Sequence, residues 1–146
     1  MAKIKRLDSS VVTLMDTELN SLGSLASTQS ITAFDNSDTD FYGDIELVVP
    51  YGLRPDVGPH SDIFIKPSVD GVNYPGSGSV IPQGALYIGT IQNLRDTNGK
   101  VLRAVLPRVS IPAGLIKFWI KNLTNTSYIS SGNTLKIRPN RFQIEA

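Results

Sequence analysis

The sequence predicts an all-β chain: an antiparallel, jelly-roll-like β-sandwich of about eight strands, preceded by an N-terminal arm. Three observations carry this. Apolar residues recur at every second position in Ile116, Phe118 and Ile120, in Leu135 and Ile137, and in Phe142 and Ile144, the spacing of strands with one face on a core. Turn-forming residues separate such runs at intervals of about 8 to 16 residues, as in a sandwich and unlike a fold that alternates strands with helices. At 146 residues the chain has single-domain length, and it lacks the repeat of about 20–50 residues that marks a solenoid or propeller.

Taken in order, residues 1–29 differ from the rest, with Leu7, Val11, Val12, Leu14, Met15, Leu19, Leu22 and Leu25 set among Ser, Thr and Asn. Val12, Met15, Leu19 and Leu22 fall at three- and four-residue steps, compatible with a short amphipathic helix capped by Asp8 or Ser9. This arm either wraps its own domain or orders on a neighbouring subunit. Ile4, Leu7, Val12, Met15, Leu19 and Leu22 are its candidate partner-binding residues, and deleting residues 1–27 is expected to leave the body folded. Gly23 and the Ser/Thr-rich stretch to Ser30 join the arm to the body, residues 30–146.

The body opens with residues 31–34 and a polar turn, 35–40. In the next run Phe41, Ile45, Leu47, Val49 and Tyr51 share a face with Gly43, and Pro50, which has no N–H to give a ladder, puts the strand end at an edge. A Gly/Pro-rich loop, 52–59, leads to the alternating run 62–69, and Asp70-Gly71 marks a tight turn because glycine accepts a positive φ. Residues 74–84 form a long Pro/Gly/Ser loop without periodicity. Strands at 85–91 and 100–106 flank a hairpin connection, Asp96-Thr97-Asn98-Gly99. The turn 111–114 then delivers the chain into three last strands, the final two parted by Pro139-Asn140.

Composition narrows the partners. Fourteen Lys and Arg stand against 13 Asp and Glu, a net charge of +1, so no global field draws the chain to nucleic acid or to an anionic membrane, and neither is expected as a partner. The absence of cysteine removes disulfides, thiolate nucleophiles and Cys-based zinc sites, which suits folding in a reducing cytoplasm. The basic start is not followed by a continuous apolar stretch, so no secretory signal is expected, and no run of about 18 apolar residues predicts a spanning helix.

Candidate chemistry is sparse. The single histidine, His60, heads the trio His60-Ser61-Asp62, but neighbours on a strand point to opposite faces and cannot form a relay. Asp44 and Glu46 share a strand face, as paired carboxylates of a glycosidase would, and read as solvated surface. The segment from Asp35 to Glu46 places Asp35, Ser37, Thr39 and Glu46 at the spacing of a calcium loop, but it lacks the glycine of the sharp turn and a following helix. Gly76-Ser77-Gly78 is followed by neither a helix nor the lysine of a phosphate-binding loop. No catalytic residue, metal, cofactor or small-molecule substrate is therefore expected, and the chain reads as a non-enzyme.

Trp119, the chain's only tryptophan, falls between Lys117 and Lys121 on the face opposite Ile116, Phe118 and Ile120. Left in water it would expose about 200 Å² of aromatic surface. Three readings follow: the lysine stems and the loop 124–133 cover it, a subunit packs on it, or it stacks on a sugar. Lys117, Trp119 and Lys121 join the candidate partner-binding residues.

The combination of Phe34-Asp35-Asn36-Ser37, residues 67–74 (Pro-Ser-Val-Asp-Gly-Val-Asn-Tyr), residues 118–124 (Phe-Trp-Ile-Lys-Asn-Leu-Thr) and residues 131–138 (Ser-Gly-Asn-Thr-Leu-Lys-Ile-Arg) resembles small virion structural proteins of tailed bacteriophages, of the head decoration or cement type. The likeness runs over most of the chain. It implies a jelly-roll-like sandwich that joins the outer face of an assembled capsid, with the major capsid protein as partner, a homotrimer as the common state, and the virion, assembled in the host cytoplasm, as its location. The alternative is a carbohydrate-binding sandwich of a tail or fibre, with Trp119, Tyr74 or Tyr128 as the stacking platform.

Overall fold

The structure is a computed structural model that describes residues 3–37, 40–50, 60–74, 78–92 and 102–145. The expected loop 52–59, the hairpin connection 96–99, Gly76-Ser77 and Thr39 of the calcium-like spacing lie outside the described residues. The elements are β1 (Lys3–Asp8), β2 (Val12–Met15), a 3-10 turn (Thr17–Leu19), β3 (Ser27–Gln29), β4 (Phe34–Asn36), β5 (Tyr42–Val49), β6 (His60–Pro67), β7 (Leu86–Gln92), β8 (Leu102–Ser110), β9 (Gly114–Asn122) and β10 (Thr134–Glu145). Among the described residues no helix is long and apolar enough to cross a membrane.

Two antiparallel sheets form a sandwich. One runs β1-β10-β5-β8 with β2 beside β1 on β10, and the other runs β3-β9-β6-β7 with β4 beside β3 on β9. The ten segments thus fill eight lanes, nested as β6 with β7, β5 with β8, β3 and β4 with β9, and β1 and β2 with β10. That nesting is the jelly-roll order. Between the sheets, Ile45, Leu47, Val49, Leu135 and Ile137 meet Ile63, Ile65, Ile116, Phe118 and Ile120, all buried. Each such side chain contributes about 1.5–3 kcal/mol by leaving water. Gly43 is the small residue that closes this layer: a Cβ there would lie 2.6 Å from the Cδ1 atoms of both Ile111 and Ile137.

The two strands expected on either side of Pro139 are one. Pro139 pairs with Gly43 in the middle of β10, where a missing N–H would ordinarily break a ladder. Its carbonyl accepts Ser9 N at 2.8 Å, and in an antiparallel strand a residue's N and O share an edge. The missing donor therefore faces Ser9, just past the last β1–β10 pair of Asp8 with Asn140, and not the β5 ladder.

Of the two courses expected for the arm, residues 3–29 follow the one that wraps its own domain, and they are built into both sheets. In place of the amphipathic helix stand β2, which β-branched Val12 and Thr13 favour, and the short 3-10 turn, whose Thr17 amide is capped by the Asp16 carboxylate. Leu14, Met15, Leu19 and Leu22 lie in the core, with Leu19 fully enclosed. Buried polar groups fasten the rest. The Asn122 amide donates to the carbonyls of Leu22 (3.0 Å), Gly23 (3.2 Å) and Thr126 (2.9 Å), and its oxygen accepts the Thr124 amide at 2.9 Å. Asn133 donates to the Asn20 side chain at 2.9 Å. Removing residues 1–27 would therefore open the core and strand these groups, contrary to the expectation of a folded remainder.

Candidate interaction surface

Register places several exposed apolar residues at one end of the sandwich. β5 begins at Tyr42, opposite Asn140 and Ser110, and the chain passes from Ser110 through residues 111–113 to Gly114, opposite Asn36. β6 ends at Pro67, opposite Ile116, so the loop 68–74 leaves from this end too. From the same end the far half of β10 runs on past β5, paired among the described residues only with β1: Ile4 lies opposite Ile144, Arg6 opposite Phe142 and Leu7 opposite Arg141. The result is a two-stranded ribbon that overhangs the body.

Alternation sorts the ribbon's side chains. Ile4, Arg6, Phe142 and Ile144 share one face, where Ile4 is 75 %, Ile144 71 % and Phe142 46 % exposed. At the root of that face the Phe142 ring meets Tyr42 edge-on at 6.0 Å, and the Arg108 guanidinium stands 5.9 and 5.8 Å from the two ring centroids. Arg108 reaches there because the β5–β8 register slips beside it and its backbone takes φ 53°, a left-handed conformation typical of a bulge. Its amide donates to Asp44 Oδ1 at 2.9 Å, and Arg6 donates to the other Asp44 oxygen. Burial pushes the Asp44 carboxyl up, but the Arg108 amide and then Arg6 more than offset it and hold it below its ordinary value.

The loop 68–74 is held rigid nearby. Asp70 accepts the amides of Asn73 (2.8 Å) and Val72 (3.0 Å), the Asn73 side chain and the Ser68 hydroxyl. These donors, the Asn73 amide first, hold its carboxyl far below the usual carboxylate range. Gly71 takes φ 74°, the turn geometry read from Asp70-Gly71. The loop thereby presents Val69 and Val72, 106 % and 77 % exposed.

The residues named from sequence divide sharply. Ile4 and Val12 are exposed, and Leu7, Lys117 and Lys121 are half-buried. Met15, Leu19 and Leu22 are core residues and cannot meet a partner. Trp119 also has no exposed surface, although it does lie on the outer face predicted for it, between Gln29 and Phe64. Over that face lie Tyr74 and residues 78–84, in place of the expected 124–133. Ser27 Oγ donates to the Ser79 carbonyl at 2.8 Å, Lys66 reaches the carbonyls of Gln83 and Gly84, and Lys117 stands 5.1 Å over the Tyr74 ring. Tyr128 is buried with its hydroxyl on Ser61, and burial raises the Tyr74 hydroxyl pKa. None of the three rings is free to stack on a sugar.

The catalytic candidates are spread apart. Ser61 is buried while His60 and Asp62 lie on the opposite face, with His60 Nε2 4.0 Å from Asp62 Oδ1 and that oxygen accepting Thr90 Oγ1 at 2.6 Å. Asp44 and Glu46 line a shallow groove of about 210 Å³, but Arg6 holds the first and Arg103 lies 3.3 Å from the second. Asp35 accepts the Ser37 amide at 2.9 Å, an acidic turn. Among the described residues no three His, Asp or Glu side chains converge on a metal site.

Sequence reasoning missed Phe142, Ile144, Val69 and Val72 as surface. Phe142 and Ile144 alternate as a core strand does, and only the uninterrupted length of β10 reveals that they overrun the body. No protein-family model matches the chain, and no curated protein matches it.

Proposed function

We propose that the protein is a virion structural protein of a bacteriophage, a decoration protein that seats on the assembled head through the ribbon end. The observation that carries this reading is the overhanging ribbon with Ile4, Phe142 and Ile144 open to solvent. An apolar face raised clear of its own core is surface for a partner. The likeness of residues 34–37, 67–74, 118–124 and 131–138 to head decoration proteins supports a major capsid protein as that partner.

The role needs no chemistry. A protein that binds the lattice and not its free subunits stabilises the lattice by mass action. Each of the three side chains contributes about 1.5–3 kcal/mol if fully covered, and the many equivalent sites of a shell multiply a modest contact. The contact is assigned to the ribbon, in place of the buried Met15, Leu19, Leu22 and Trp119.

The test is co-sedimentation with heads assembled without this protein. Ile4→Glu and Ile144→Glu should each weaken binding at least tenfold while the melting temperature stays within about 2 °C, since both side chains are exposed. Full binding by both variants, or equal binding to dissociated capsid subunits, would overturn the reading.

A further inference from the structure

One charge at the root of the ribbon is left unanswered. Arg108 is exposed, and its guanidinium stands 5.9 Å from the ring centroid of Tyr42 and 5.8 Å from that of Phe142. Among the described residues no carboxylate pairs with that guanidinium and no acceptor takes its N–H groups. The adjoining acid is already engaged, since Asp44 accepts the Arg108 amide on one oxygen and Arg6 on the other. Arg6 in turn is balanced by Asp44 and Asp8.

The position of Arg108 is also strained. Its backbone takes φ 53°, a left-handed conformation that a β-carbon disfavours, and such residues gather at ligand clamps and other working sites. An arginine that stacks on aromatic rings keeps its planar fork of N–H donors for a carboxylate.

Covering the ribbon makes that carboxylate a requirement. Whatever seats on Phe142 also covers the guanidinium beside it, and a cation taken out of water without a counter-charge is strongly unfavourable. The covering surface must therefore bring an anion. Its surroundings select the kind: Ile4, Phe142 and Ile144 call for apolar neighbours, while Asp8 and Asp44 repel a phosphate backbone. A single carboxylate set among apolar side chains meets both conditions.

We propose that Arg108 is the polar anchor of the capsid contact, taking an Asp or Glu side chain of the capsid protein beside the Tyr42 and Phe142 rings. This rests on the capsid reading and adds the chemistry of the partner. The two-donor fork accepts a carboxylate in one orientation, so the ion pair fixes how the ribbon sits while the apolar face supplies the area.

Heads assembled without this protein provide the test. In co-sedimentation Arg108→Ala should bind about thirtyfold more weakly, the effect of truncating one partner of a covered charge pair. Arg108→Gly, which relieves the left-handed backbone, should do the same. Both should melt no more than about 2 °C below the parent chain, so that lost binding is not lost folding. Arg108→Lys keeps the charge without the fork and should fall between. It also places an amine where the carboxylate is expected. Carbodiimide treatment of Arg108→Lys on saturated heads should therefore join position 108 to an Asp or Glu of the capsid protein, identified by peptide mass mapping. Parent-like binding by Arg108→Ala, while Ile4→Glu and Ile144→Glu still weaken it, would overturn this inference and leave the capsid reading standing. A cross-link missing at position 108, or duplex DNA that displaces the parent chain from heads, would do likewise. A parent chain that does not bind heads would overturn both.

Discussion

The two halves of β10 are made of similar residues and meet opposite fates. From Thr134 to Asn140 the strand is flanked by β5 on one edge and by β2 on part of the other, and Leu135 and Ile137 have no exposed surface. From Arg141 to Glu145 the strand that pairs with it among the described residues is β1, and Phe142 and Ile144 alternate just as regularly in water. Periodicity declares that a strand has an apolar face. It does not say whether an opposing layer exists to cover that face. The difference lies in neighbours, and the one the far half lacks, β5, pairs with the near half across 86 to 98 positions of chain.

Removing neighbours from the near half tests this most severely. Deletion of residues 1–27 takes away β1, β2 and the buried Met15, Leu19 and Leu22, so the remainder should fail to fold, seen as loss of the cooperative thermal transition and of dispersed amide resonances. A truncation that still melts cooperatively would mean that the near half does not depend on the N-terminal lane. Next in size, Ile137→Ala should cost about 2–5 kcal/mol, the range for an emptied aliphatic core site, whereas Ile144→Ala, seven positions along the same strand, should stay within about 0.5 kcal/mol. Equal losses in chemical denaturation would erase the distinction between the halves.

The smallest effect concerns the junction. Asp44 sits where the halves divide, and its carboxyl is held below the ordinary value of 3.8. A depressed pKa contributes stability that is complete above the unfolded value and is lost as pH falls through the folded one. The fall in melting temperature between pH 7 and pH 3 should therefore be smaller in Asp44→Asn than in the parent chain. An unchanged or larger fall would show that the Arg6 and Arg108 contacts do not stabilise the fold through that charge.

Much of the architecture was legible because the signal is local. Alternation placed β5, β6, β7 and β9, the Asp70-Gly71 turn formed as read, and about eight strands became eight lanes. What escaped depended on distant groups. Residues 1–29 look like an arm because their apolar residues are sparse and irregular, yet the buried amides of Asn122 and Asn133 hold Asn20, Leu22 and Gly23. Trp119 was assigned to the correct face, but a Pro/Gly/Ser loop carries no periodicity to reveal that it lies over that face. Pro139 reads as a break until its missing donor is seen to face Ser9 and not the β5 ladder. The interaction surface was the least legible part, since its residues follow the same pattern as a core.

The nested order of the strands also governs when the molecule can assemble. The second sheet has its centre in β9, so β3, β4, β6 and β7 find their scaffold once the ribosome has passed Asn122. The first sheet is centred on β10, and β1 emerges more than a hundred residues before the strand it must join. Closing that long loop is slow, so during translation β1 and β2 wait as sticky, solitary segments. The polar residues within them, Lys3, Lys5, Arg6, Asp8 and Thr13, which disguise them in the sequence, oppose clumping of the nascent chain until its last lane arrives.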